Sequence, residues 1–139
     1  MAAFNKFNDF VKKLIDGEHD FNGHVFKVYL TNATPDAAAD LVKADLAEIS
    51  AGSGYTAGGA TTTITTSVAA GVAKITGTDV TFTAAGGSIG PARYAVLYND
   101  THASDALIGW WDYGSSVTLA DTESLTVDFD ATNGIATFT

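Results

Sequence analysis

The segments TTTITTSV (61–68), VAKITG (72–77), DVTFTA (79–84) and RYAVLYN (93–99) decide the fold of this chain. The first three are short, rich in Thr and β-branched residues, and separated by Gly-containing turns, which is the composition of a pleated, half-buried surface. RYAVLYN alternates Tyr94, Val96 and Tyr98 against Ala95 and Leu97, so both of its faces are apolar and it reads as a central strand. A period of two is established near residue 60 and persists to the end of the chain.

Downstream of the AAGGSIGP break, ALIGWWDYG (106–114) and VTL (117–119) read as strands with Ser115 and Ser116 in a turn between them. SLTVDFD (124–130) and GIATFT (134–139) follow, with Asn133-Gly134 as the expected hairpin turn joining them. Upstream, VFKVYL (25–30) places Phe26, Val28 and Leu30 on one face. Strands are therefore expected near 25–30, 61–68, 72–84, 93–99, 106–114 and 124–139. Eight or nine strands at roughly ten-residue spacing make an all-β sandwich or barrel, and a sandwich is the expectation. A parallel α/β sheet would need helices between successive strands, and none is expected after residue 50.

Two helices are expected before that point. Phe4, Phe7, Phe10, Val11 and Leu14 recur at spacings of three and four, which predicts an amphipathic helix over 4–15 stopped near Gly17. This stripe either packs on the domain's own sheet or docks on another subunit. A second short helix is expected over 36–48, with Thr34 as cap, Pro35 at its first position, Asp36 against its dipole, and Leu41, Val42, Leu46 and Ile49 as its apolar face. The loop SAGSGYTAGG (50–59) follows. The chain thus reads as one structural domain, with an N-terminal helix and connection (1–24) ahead of a β-sandwich (25–139).

Composition removes several classes of function. Sixteen acidic residues against seven basic ones give a formal charge of −9, which repels phosphate backbones and makes nucleic acid an unsuitable partner. Five of the seven bases lie in residues 1–50, leaving only Lys74 and Arg93 beyond. There is no cysteine, so the fold owes nothing to disulfides and suits a reducing compartment. Asp9, Lys12 and Lys13 interrupt the first apolar stretch, so neither a signal peptide nor a membrane span is expected there, and no membrane partner with it.

The chemistry-bearing residues do not form a recognisable constellation. His19, His24 and His102 are the only histidines, and without cysteines or HExxH-like spacing they read as surface residues rather than zinc ligands. Asp128, Asp130 and Thr132 resemble the opening of a calcium loop, but the glycine comes one place late and no bidentate Glu follows. Asp105 and Asp112 flank the Trp110-Trp111 strand without evidence of the proximity a glycosidase needs. No GxSxG or phosphate-binding glycine motif occurs, and no cofactor is expected. Adjacent Trp110 and Trp111 point to opposite faces of a strand, so one can fill the core while the other meets a partner or, with Tyr113 and Tyr55, stacks on a sugar.

The phrases GYTAGGATTTITT (54–66), PARYAVLYNDT (91–101), ALIGWWDYGSSVTL (106–119) and ESLTVDFDATNGIATFT (123–139), taken in this order, resemble small virion proteins of tailed bacteriophages. The resemblance is to capsid cement, or decoration, proteins with an N-terminal helix and a jelly-roll-like β-sandwich. It implies a non-enzymatic virion protein that folds in the host cytoplasm and binds the major capsid protein on the outside of the head. The amphipathic terminal helix and the paired Trp lead to the further expectation of self-association, as a dimer, the commonest closed arrangement. The residues expected at the capsid or subunit interface are the helical stripe Phe4, Phe7, Phe10, Val11 and Leu14, with one of Trp110 or Trp111. A carbohydrate-binding, fibre or connector module of the phage head or tail is the other reading.

Overall fold

The computed structural model describes residues 2–139. The chain is an all-β sandwich built from strands β1 (Phe4–Lys6), β2 (Phe26–Thr31), β3 (Ala60–Thr62), β4 (Ile64–Ala69), β5 (Val72–Gly77), β6 (Val80–Thr83), β7 (Ile89–Asn99), β8 (Leu107–Leu119), β9 (Ser124–Val127) and β10 (Ala136–Phe138). Among the described residues there is one α-helix, α1 (Asn8–Ile15), between β1 and β2. The main sheet has the order β1-β8-β7-β2-β3, and smaller sheets have the orders β10-β5-β4 and β6-β9. All pairings are antiparallel.

The alternation of RYAVLYN has the consequence expected of a central strand. Ala95 and Leu97 join Phe26, Val28, Leu30, Ile108 and Trp111 on the face that meets Ile75, Phe82, Val127 and Phe129 across the sandwich. Val96 and Tyr98 face the other way and pack with Phe7, Tyr29, Leu46 and Leu107. The main sheet is therefore buried on both sides. The second cluster lies under the segment that connects β2 to β3.

That segment is where the expected helix over 36–48 does not form. Asp36 rather than Thr34 caps what forms: Asp36 Oδ1 accepts the amides of Ala38 and Ala39 at 2.9 and 3.1 Å, while Thr34 Oγ1 accepts from the Tyr94 hydroxyl at 3.4 Å, and only one turn follows. The chain then becomes extended, with Val42 bridging Ala106 and the Leu107 amide donating to the Leu41 carbonyl at 3.1 Å. A short 3-10 turn spans Lys43–Asp45. Covering an apolar sheet face and satisfying exposed backbone at the start of β8 outweigh helix propensity, which is a weak preference. Glu48 pins the segment by accepting from Lys43 Nζ, the Tyr55 hydroxyl and the Gly58 amide, each at 2.7 Å. The Tyr98 hydroxyl donates to the Gly58 carbonyl at 2.7 Å.

The N-terminal segment also differs from the continuous helix expected over 4–15. Residues 4–6 form an edge strand, Phe4 opposite Trp111 and Lys6 opposite Gly109. Gly109 permits this approach, because a Cβ there would run into the Phe4 ring and the Asn5 carbonyl. The helix starts only at Asn8, and Gly17, at φ +79°, follows its end as expected. Through β1, the segment ahead of β2 is joined to the main sheet.

Two turns expected from sequence are absent. Ser115 and Ser116 lie inside β8, which runs unbroken to Leu119. Asn133-Gly134 does not close a hairpin, because β9 pairs with β6 while β10 pairs with β5. The connection instead carries the chain from one small sheet to the other.

Phe7 and Phe10 are fully buried, so deleting residues 1–15 is expected to unfold the domain. The milder Phe10→Ala should lower stability by about 3–5 kcal/mol, read as a shifted urea midpoint. An unshifted midpoint would show that α1 is dispensable to the core.

Candidate docking surface

The structure divides the sequence-derived interface residues into two groups. Phe7, Phe10 and Trp111 are core, while Phe4, Val11, Leu14 and Trp110 are half-buried. The helical stripe is not an exposed face. Phe4 packs edge-on against Trp111 at 5.1 Å between ring centroids, whereas Phe7 lies against Trp110 at 4.7 Å. Each Phe thus occupies a different side of the main sheet, and the Trp pair is held from both sides. Phe10 packs on His19 and Phe21.

What remains exposed is an overhang of the β10-β5-β4 sheet. Its register sets residues in rows on one face. Ile64 is opposite Gly77, and Thr66, Ile75 and Ala136 form the next row. The third row is Val68, Ala73 and Phe138. Ile75 packs in the core with Ile64 and Ala136 against it, but the third row extends past the core, leaving Val68 73% and Phe138 36% exposed. This row was not singled out from sequence, because alternation identifies a face but not where the opposing sheet stops.

Phe138 also borders a groove of about 270 Å3 that contains Phe4, Phe10, Val11, Ile135 and Lys6. The strands on its two sides, β1 and β10, both end their sheets. Lys6 forms no salt bridge among the described residues. Groove and overhang share Phe138, making an apolar surface with one free cation beside it. Ile15, 80% exposed at the end of α1, is a separate isolated apolar side chain.

The sugar-stacking set is not assembled. Tyr55 is buried, with its hydroxyl donating to Glu48 and accepting from the Leu30 amide at 3.0 Å. Trp110 and Trp111 face opposite sides. Only Trp111 and Tyr113 share a cavity, of about 260 Å3, together with Asp79, Thr126 and Asp128. Burial and the nearby Asp128 push the Tyr113 hydroxyl up to about 12. Asp112 is engaged by Arg93 through bonds of 2.8 and 3.1 Å, and Asp105 lies in the turn before β8. Asp128 and Asp130 accept backbone amides in the turn after β9. Among the described residues, no group of three or more His, Asp or Glu side chains is placed to hold a metal ion, and no helix is long and apolar enough to cross a membrane.

The three histidines, expected at the surface, converge on Asn99 at the end of β7, and His19 is buried. Asn99 Oδ1 accepts the amides of Thr101 and His102 at 3.1 and 3.2 Å. That orientation makes Nδ2 the donor to Nδ1 of both His19 and His24, at 3.0 and 2.9 Å. The proton of neutral His19 is thereby placed on Nε2, which is buried without a partner. His102 lies beside this cluster, with Nε2 3.1 Å from Glu18.

Burial, and then the proximity of His102 and Lys13, lower the His19 value from 6.5 to about 4. Below pH 6.5 the unfolded chain takes up a proton that folded His19 refuses. Stability attributable to neutral His19 is thus present above pH 6.5 and lost as pH falls toward 4, a change on the order of 3 kcal/mol. Urea midpoints measured from pH 7 to pH 5, roughly the window of histidine titration, should fall in the wild type and flatten in His19→Gln. Parallel curves would remove His19 as the cause.

Comparison with protein families, curated proteins and solved structures finds no match to this chain.

Proposed function

We propose that this chain is a non-enzymatic virion structural protein, of jelly-roll-like type, that binds the major capsid protein on the outside of a bacteriophage head and cements neighbouring subunits. The observation that carries this reading is the exposed Val68–Ala73–Phe138 row, continuous through Phe138 with the groove beside Phe4 and Val11. A regular sheet face that runs past its own core offers apolar area to another protein, and apolar area removed from water favours association by roughly 25 cal/mol per Å2. The strongly negative chain does not suit packaged nucleic acid, whereas a protein lattice presents many equivalent sites. Repeated weak contacts across such a lattice give avidity, and binding only the assembled shell stabilises that shell.

Particles encoding this chain should carry it in hundreds of copies, an order of magnitude set by lattice decoration, with density on the outer capsid surface in a cryo-electron map. Val68→Asp combined with Phe138→Asp should leave the fold intact, since both side chains are exposed, and strip the protein from particles. A handful of copies confined to a tail or fibre, or unchanged decoration by the double variant, would overturn the reading.

A further inference from the structure

The edge of β4 is unusual among the margins of this fold. At six residues it is the longest strand that ends a sheet, against three for β1, β3 and β10 and four for β6 and β9. Its outer edge is free, because β4 has only β5 as a neighbour. Thr65 through Ala69 are all exposed. Strand edges in soluble proteins are commonly protected by charge, proline or a bulge, since unpaired N–H and C=O groups recruit another strand. ITTSVA contains neither charge nor proline, and its register with β5 is uninterrupted.

The surrounding charge distribution identifies an occupant. The chain carries a net charge of −9, yet no Asp, Glu, Lys, Arg or His occurs from Ile49 to Ala73. Two copies therefore repel over most of their surfaces and meet at least electrostatic cost along this edge. The strand is also self-complementary about Thr66. An antiparallel pair centred there sets Ile64 opposite Val68 of the second copy and Thr65 opposite its Ser67. Those are an apolar pair on the inner face and a hydroxyl pair on the outer face, both favourable across antiparallel strands. The same alignment keeps the inner faces of both copies on one side, so each exposed Val68 gains an Ile neighbour.

We infer that two copies of this chain associate by antiparallel pairing of β4 with β4, centred on Thr66, into one continuous six-stranded sheet. The contact is isologous, as a closed two-fold dimer requires. One strand pair buries less than the roughly 1,200 Å2 of a standard stable interface, so the dimer forms in the micromolar range. This inference does not rest on the capsid reading, and the purified protein alone tests it.

Sedimentation velocity over a concentration series should show a monomer–dimer equilibrium in the wild type. Thr65→Glu with Ser67→Glu places four carboxylates around the two-fold axis and should weaken dimerisation at least about tenfold, as expected for like charges set directly opposite. Thr65→Lys with Ser67→Glu instead sets each Lys opposite a Glu of the second copy and should restore dimerisation. Both variants should keep the wild-type circular dichroism, because the substituted positions are exposed. A wild type that stays monomeric to about 100 µM, well above the expected range, overturns the inference. So does a dimer unaffected by the double-Glu variant, or a Lys/Glu variant as monomeric as the double-Glu one. Loss of particle binding by the double-Glu variant of a chain that is itself monomeric would assign the edge to the capsid protein instead of a second copy.

Discussion

The constraint on which the structure depends is that its main sheet is apolar on both faces. Leu97 and Val96 are adjacent on β7, and each is fully buried in a different cluster. A sheet of this kind needs a cover on each side, and the chain supplies two of different construction. One is made of strands, giving a sandwich core. The other is an irregular segment between β2 and β3 that has little secondary structure and is held by side chains.

That second cover contains a half-buried carboxylate, Glu48, whose desolvation would otherwise be unfavourable. Desolvation opposes the ionised Glu48, yet bonds from Lys43, Tyr55 and Gly58 hold its carboxyl below the ordinary range. Lys43 lies over the Tyr29 ring at 4.8 Å, so the ion pair rests directly on the aromatic floor it helps to cover. A half-buried carboxylate with three donors specifies one position for the loop, which apolar contacts alone would leave free to slide.

The N-terminal residues act across the same sheet. Phe4 and Phe7 reach opposite faces from an edge strand and the residue capping α1, and the pair of adjacent Trp residues receives one each. Of the aromatic side chains that sequence marks as interface candidates, Phe7, Phe10 and Trp111 are consequently used up in the core, while Phe4 and Trp110 stay half-buried. The apolar surface left exposed is poor in charge and concentrated in β4, the adjoining row of β5 and Phe138 at the end of β10.

Alternation in RYAVLYN, Thr-rich runs and glycine spacing are local properties, and they were sufficient to specify an all-β chain with a two-sided central strand. The stop at Gly17 was equally legible, because a left-handed residue after a helix is a local requirement. The helix expected over 36–48 was not, since Leu41 and Val42 are drawn into extended contact with β8 by groups distant in sequence. Nor could sequence show that Asn133-Gly134 changes sheets, that His19 lies buried beside Asn99, or that the third row of the small sheet escapes cover. Period and propensity report which face of an element is apolar. Only tertiary packing decides whether another element reaches far enough to bury it.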